Sequence, residues 1–212
     1  MNILEEISTL LQQGRIPKVK ELVNQALEDG IEPKKILDEG LLSGMNVVGE
    51  KFKNNQVFIP EVLIAARAMN AGVELLKPRL IAEGLESKGT VVIGTVKGDL
   101  HDIGKNIVKM MMESKGLDVV DLGTDVDAKI FVQEAINHNA DIICCSALLT
   151  TTMTEMKNVV KETVDAGIRD KVKIMVGGAP ITQGFCDSIG ADYYTPDAAS
   201  ASDIALKICQ EK

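Results

Sequence analysis

The sequence predicts a four-helix bundle in its N-terminal half, followed by a doubly wound α/β domain with a parallel sheet of five strands. Two observations predict this division. Apolar residues recur at helical spacing up to about residue 80, whereas after residue 90 short β-branched runs alternate with helical segments. A polar stretch at 78–89, which contains Pro, Gly and Ser, separates the two patterns.

The N-terminal half contains four amphipathic segments with short joints, which favour a small helical bundle. The first segment covers 2–13, and Pro17, Pro33 and Pro60 stand where the first turns of the other three would tolerate proline. We therefore assign residues 1–80 to the bundle, 81–89 to a linker and 90–212 to the α/β domain.

The C-terminal half alternates predicted strands with predicted helices. The strands are 90–96, 117–122, 141–146, 173–176 and a weaker fifth at 192–195. The helices are 103–115, 128–138, 153–166, 181–188 and 198–210. Continuously apolar strands are buried on both faces, which is typical of a parallel Rossmann-like or flavodoxin-like sheet. Ligands of such sheets bind at the carboxyl ends of the strands, so functional residues are expected there.

Composition excludes several classes of function. The chain of 212 residues has a net charge of −8, so we expect no nucleic-acid surface. It has no apolar run long enough to span a membrane and no basic segment before an apolar one at its N-terminus, so we expect a cytoplasmic protein. The four cysteines form no C-x-x-C pair, which favours buried, reduced thiols.

The loop after the first predicted strand carries Asp99, His101 and Gly104. A histidine that binds a metal usually passes its second ring N–H to a carboxylate, and Asp99 is close enough in sequence to accept it. Other roles remain open for these residues. His101 could be an ordinary polar loop residue, Asp99 or Asp102 could cap the next helix, and Gly104 could serve close packing.

Two further elements follow at the ends of the third and fourth strands, namely Ser146 with Leu148, and Gly177 with Gly178. In this order, the patterns D-x-H-x-x-G, S-x-L and G-G resemble the cobalamin-binding family. The N-terminal half contributes as well. Residues 44–52 and 58–60 look like the helical cap of methyl-carrying corrinoid proteins and of the matching module of cobalamin-dependent methionine synthase. The resemblance thus covers nearly the whole chain.

The resemblance implies that a cobalamin or related corrinoid binds with its own base detached, His101 on the cobalt and Asp99 on the other ring nitrogen. It also implies a relay hydroxyl at Thr152, where the methionine synthase branch has serine. The residues implied to line the cofactor and its nucleotide tail are Gly98, Asp102, Gly104, Ser146, Leu148, Thr150, Gly177 and Gly178. Phe52 and Ile59 match the apolar cap residues placed over the methyl-bearing face.

As to function, the resemblance implies a carrier of methyl groups as methyl-Co(III), cycling through Co(I), and not a complete enzyme. Its expected partners are a substrate-specific methyltransferase, a second methyltransferase that passes the group to a pterin or thiol, and a reductive activator. Methylamine, methanol, betaine and methoxyaromatic donors remain open. The main alternative is the small subunit of an adenosylcobalamin-dependent mutase; a cobalamin-dependent transcription regulator and a cobalt-free flavodoxin-like domain are weaker ones.

Overall fold

Residues 2–82 and 87–211 are described by the computed structural model, and the chain divides into two compact units, 1–86 and 87–212. Of the predicted linker, 81–89, residues 83–86 lie outside the described residues. No described helix is both long enough and apolar enough to cross a membrane.

The N-terminal unit is helical, as predicted. Its elements are α1 (Ile3–Gln12), α2 (Ile16–Glu28), α3 (Pro33–Lys35), a π-helical segment (Ile36–Leu42), α4 (Ser43–Lys53) and α5 (Ile59–Ala82). The π-helical segment continues directly from α3 into α4, so these three elements occupy the place of the predicted third helix. Ile7, Leu11, Leu41 and Met69 are fully buried in the core of this unit.

The predicted start of the polar connector at residue 78 is wrong. Helix α5 continues through Pro78 and ends at Ala82. A proline inside a helix removes one main-chain hydrogen bond and usually marks its end. Here the apolar stripe continues beyond it, since Leu76 is fully buried and Leu80 is nearly so. The burial of this stripe offsets the lost hydrogen bond and extends the helix by more than a turn.

The C-terminal unit contains a parallel sheet of five strands with helices on both faces, which confirms the predicted fold. The strands are β1 (Thr90–Thr95), β2 (Asp118–Asp121), β3 (Ile142–Ser146), β4 (Lys173–Gly177) and β5 (Tyr193–Tyr194), in the order β2-β1-β3-β4-β5. The helices are α6 (Ile103–Glu113), α7 (Ala128–Asn137), α8 (Thr154–Asp165), α9 (Gln183–Ile189) and α10 (Ala198–Gln210). All four strand pairs are parallel.

The strand order places the ends of three strands together. β1 lies between β2 and β3, and the chain order reverses at the β1–β3 pair. Thr95 is opposite Ser146, and Ser146 is opposite Gly177, so β1, β3 and β4 end at the same level. The interiors of β1, β3 and β4 are buried on both faces, where their residues belong to two separate core clusters. The loops after β1, β3 and β4 therefore meet at one edge.

Candidate functional site

Asp99 is the centre of a hydrogen-bond network at this edge. Its side chain is fully buried. Oδ1 accepts hydrogen bonds from the backbone N–H of His101 at 3.1 Å and from its ring Nδ1 at 2.8 Å. Oδ2 accepts from the backbone N–H groups of Leu148 (2.8 Å) and Leu149 (3.1 Å) and from the hydroxyl of Thr152 (2.8 Å). Five donors from the loops after β1 and β3 thus converge on one carboxylate.

These donors determine the charge of Asp99. Burial raises the pKa of its carboxyl group, but the hydrogen bonds from Leu148, His101 and Leu149 outweigh burial and hold the pKa well below its ordinary value. The carboxyl group is therefore ionised at neutral pH and can only accept hydrogen bonds.

The charge of Asp99 in turn determines the tautomer of His101. Because an ionised carboxylate has no proton to give, the 2.8 Å contact requires that His101 Nδ1 carry the hydrogen. In the neutral imidazole, Nε2 then holds a lone pair, which is the form that ligates metals. The His101 side chain is 52% exposed, so the imidazole ring is accessible from outside the protein.

Four large apolar side chains are exposed at the two loops around His101. Leu100 and Ile103 are 72% and 69% exposed, and Leu148 and Leu149 are 43% and 41% exposed. Among residues 2–82 and 87–211, no group of three or more His, Cys, Asp or Glu side chains could hold a metal ion. A single imidazole donor within an apolar rim fits a metal that arrives in a large, apolar macrocycle supplying its other ligands. The donor set and the rim therefore fit a corrinoid.

Glycine occurs at Gly104 and at Gly178 for different structural reasons. A Cβ added at Gly104, in the first turn of α6, would meet nothing within 4 Å, so the protein leaves open space there. At Gly178, by contrast, φ is +129° and a Cβ would lie 1.9 Å from the carbonyl oxygen of Ala147. The requirement for glycine at Gly178 thus comes from the protein's own backbone. Gly98 also has a positive φ, of +80°.

The other predicted site residues lie as follows. Asp102 is the exposed N-cap residue of α6, makes no side-chain cap and accepts a hydrogen bond from Asn106. Thr150 is exposed in the loop after β3, and Ser146 and Gly177 are partly buried at the ends of β3 and β4. Phe52 and Ile59 belong to the N-terminal unit, in which Phe52 is partly buried and Ile59 is 40% exposed.

Three residues that the sequence pattern did not select contact the motif. Leu149 donates its backbone N–H to Asp99. The hydroxyl of Thr95 donates to the carbonyl oxygen of His101 at 2.9 Å. The backbone N–H of Asp125 donates to the carbonyl oxygen of Asp99 at 3.0 Å. The position of Thr95 at the end of β1, directly before the loop, could have indicated a contact with that loop. For Asp125, nothing in the local sequence indicates a contact with a loop more than 20 residues away.

Comparison with known proteins gives matches over both units. Residues 89–202 and residues 3–77 each match a family described as a B12 binding domain. The trimethylamine corrinoid protein 1 of Methanosarcina acetivorans is 47% identical over 190 residues, which cover 89% of this chain and 87% of that protein. A corrinoid protein of Desulfitobacterium hafniense is 40% identical over 211 residues, 98% of each chain.

A solved structure supports the same relationship. A chain of the methanol:cobalamin methyltransferase complex from Methanosarcina barkeri superposes with a TM-score of 0.89 at 33% identity. The match covers 99% of this chain and 80% of that one.

Proposed function

Because the chain belongs to the family of B12-binding corrinoid proteins, we propose that it carries methyl groups between methyltransferases on the cobalt of a bound corrinoid. The single observation that carries this proposal is the contact between Asp99 and His101. It places the hydrogen on Nδ1 and leaves the lone pair of Nε2, on an exposed side chain, to ligate a metal. The relatives named above are corrinoid proteins, and the solved one is part of a methanol methyltransferase complex. Nothing in these relatives supports the mutase alternative.

His101 would be the axial ligand of the cobalt, and the cofactor's own base would be detached to make room for it. The tautomer of His101 supports this assignment, since Asp99 accepts the hydrogen of Nδ1 and the lone pair of Nε2 is left to bind the metal. Leu148 and Thr150 would lie near the macrocycle, with Gly98 and Asp102 beside the ligand.

The nucleotide tail would lie beside the sheet, along Gly104, Ser146, Gly177 and Gly178. The open space at Gly104 supports this assignment, because no part of the protein would meet a side chain there.

The bound corrinoid supplies a cobalt that accepts a methyl group from a donor and gives it up to an acceptor. His101 would hold this cobalt, and Asp99 would position the imidazole. Asp99 accepts the hydrogen of Nδ1, which would keep the lone pair of Nε2 directed to the cobalt. Leu148, Leu149 and Thr152 keep the Asp99 carboxylate anionic.

The rest of the proposal concerns the cap and the partners. Phe52 and Ile59 of the N-terminal unit would shield the methyl-bearing face from water and oxidants. A substrate-specific methyltransferase would load the methyl group, and a second methyltransferase would pass it to a pterin or thiol. A reductive activator would restore the cofactor after adventitious oxidation. A methylamine is the favoured class of donor, because the trimethylamine corrinoid protein is 47% identical to this chain.

The decisive experiment tests ligation. The chain is produced with isotopically labelled histidine, loaded with hydroxocobalamin and reduced by one electron, and its paramagnetic resonance spectrum is recorded. We expect nitrogen splitting that changes with the label, because the axial donor is then protein imidazole and not the cofactor's base. The chain has two histidines, so His138→Ala serves as the matched control and should keep the labelled splitting, whereas His101→Ala should lose it. Labelled splitting that survives in His101→Ala would refute the proposal.

A further inference from the structure

The main-chain carbonyl of His101 is held by the buried hydroxyl of Thr95, a residue outside the D-x-H-x-x-G motif. Thr95, the last residue of β1, is fully buried, and its hydroxyl donates to the carbonyl oxygen of His101 at 2.9 Å. The backbone of Thr95 is already engaged, since its N–H donates to Gly123 and its carbonyl oxygen accepts from Val126. Removing the hydroxyl would therefore leave the strand pairing intact and release only the His101 carbonyl.

The same loop is also held by Asp125, which lies in the connection from β2 to α7. The backbone N–H of Asp125 donates to the carbonyl oxygen of Asp99 at 3.0 Å, and its Oδ1 accepts from the N–H of Gly98 at 2.7 Å. The residue adopts a φ of +56°, a left-handed conformation that most non-glycine residues avoid but that aspartate tolerates better than most. This conformation presents both groups to the loop.

We propose that Thr95 and Asp125 form a main-chain clamp, which positions His101 for axial ligation of the corrinoid cobalt. The inference rests on the proposed function. Asp99 accepts hydrogen bonds from the ring Nδ1 and the backbone N–H of His101, but it makes no contact with the carbonyl oxygen of His101, which Thr95 holds instead. The loop provides little packing of its own, because Leu100 between the two motif residues is 72% exposed. A site of this kind needs its ligand placed to about 0.5 Å, which requires such support.

The experiment uses paired variants of the full chain. Thr95→Val removes the hydroxyl at nearly constant shape, and Thr95→Ser keeps it. Asp125→Ala removes the side-chain acceptor, and Asp125→Asn keeps both an acceptor and a tolerance for positive φ. Each is scored by its affinity for hydroxocobalamin, by the labelled-histidine splitting of the reduced form, and by amide hydrogen exchange of residues 98–101 in the apoprotein.

Two matched controls separate positioning from general damage. Thr163 is also fully buried, and its hydroxyl donates to the carbonyl oxygen of Val160 at 2.6 Å, so Thr163→Val loses the same kind of bond inside α8. Asn139 also has a positive φ, of +47°, so Asn139→Ala carries a similar backbone cost after α7. Neither residue belongs to the site.

We expect Thr95→Val and Asp125→Ala to bind hydroxocobalamin about 10–100-fold more weakly, the usual effect of losing support for a metal ligand. Cofactor that does bind should show reduced labelled splitting, and the amides of residues 98–101 should exchange faster. Thr95→Ser, Asp125→Asn and both controls should behave like the wild type.

Wild-type affinity and full labelled splitting in Thr95→Val and Asp125→Ala would overturn the clamp, as would an equal loss in Thr163→Val and Asn139→Ala. Should Thr95→Val not fold, the comparison of Asp125→Ala with Asp125→Asn decides the matter. A wild-type protein without labelled splitting would instead overturn the proposed function itself.

Discussion

Replacement of Asp99 by asparagine should move the proton of His101 from Nδ1 to Nε2. The carboxylate accepts from two donors of His101 on Oδ1 and from Leu148, Leu149 and Thr152 on Oδ2. An asparagine side chain has the same shape but only one acceptor oxygen, and its NH₂ group is a donor. In the variant, the NH₂ group must therefore face either the two donors of His101 or the three donors on the Oδ2 side.

The number of backbone donors on each side decides the orientation. With its NH₂ group towards Leu148 and Leu149, the asparagine would leave two N–H groups unpaired, at about 1–3 kcal/mol each, or about 2–6 kcal/mol together. With its NH₂ group towards His101, it would leave only one backbone N–H unpaired, at about 1–3 kcal/mol. The imidazole adapts to the second orientation by accepting on Nδ1, which places its proton on Nε2. We therefore expect the second orientation.

The consequence for ligation can be measured. A protonated Nε2 has no lone pair for a metal, so the affinity for hydroxocobalamin should fall about 10–100-fold, which corresponds to about 1.4–2.7 kcal/mol. Nitrogen NMR of the apoprotein with labelled histidine reports which ring nitrogen carries the proton. Asp118→Asn, at the exposed start of β2, is the control for the loss of one negative charge. A variant that keeps its proton on Nδ1, or that binds as tightly as Asp118→Asn, would refute the reasoning.

Three further predictions concern the same site. Thr152→Val should lower the free energy of unfolding by about 1.5–3 kcal/mol, because Asp99 loses a hydroxyl donor, whereas Thr152→Ser keeps the donor and should not. Denaturant unfolding of the apoproteins measures both values. A Thr152→Val variant as stable as the wild type would contradict the hydrogen bond. Since the pKa of Asp99 is lowered by folding, its contribution to stability is complete above its ordinary pKa of about 3.9 and is lost as the pH falls through the folded value. The difference in unfolding free energy between the wild type and Asp99→Asn should therefore shrink on acidification below about pH 4, and a constant difference would count against an ionised Asp99. Gly104→Ala should leave the apoprotein as stable as the wild type or up to about 1 kcal/mol more stable, since a Cβ there meets open space within a helix. The same substitution should weaken corrinoid binding, because the Cβ would occupy space left for the cofactor. A clear loss of apoprotein stability would show that protein atoms fill this space.

Local patterns predicted most of the fold, because helix and strand periods are properties of neighbouring residues. The predicted helix 198–210 coincides with α10, and every predicted strand overlaps an observed one. The errors lie where tertiary packing overrides a local preference. Pro78 favours an end to α5, but the buried Leu76 and Leu80 extend the helix beyond it.

The candidate site follows the same division. Asp99, His101 and Gly104 could be selected from the sequence because their spacing within one loop is itself the signal. The role of Asp125 could not, since it arises only when the connection after β2 folds against the loop after β1. The end of β1 pointed to Thr95, but its contact with the carbonyl oxygen of His101 depends on the path of the loop, which residue spacing does not determine.

By itself the sequence determined which side chains could ligate and support a metal, and it determined the alternation of strands and helices that brings them to one edge of a sheet. Only the tertiary structure decided that the Asp99 carboxylate is anionic and that Nε2 of His101 is the free donor. The physical reason is that the charge of a buried carboxylate depends on its donors, and those from Leu148, Leu149 and Thr152 lie some 50 residues away along the chain.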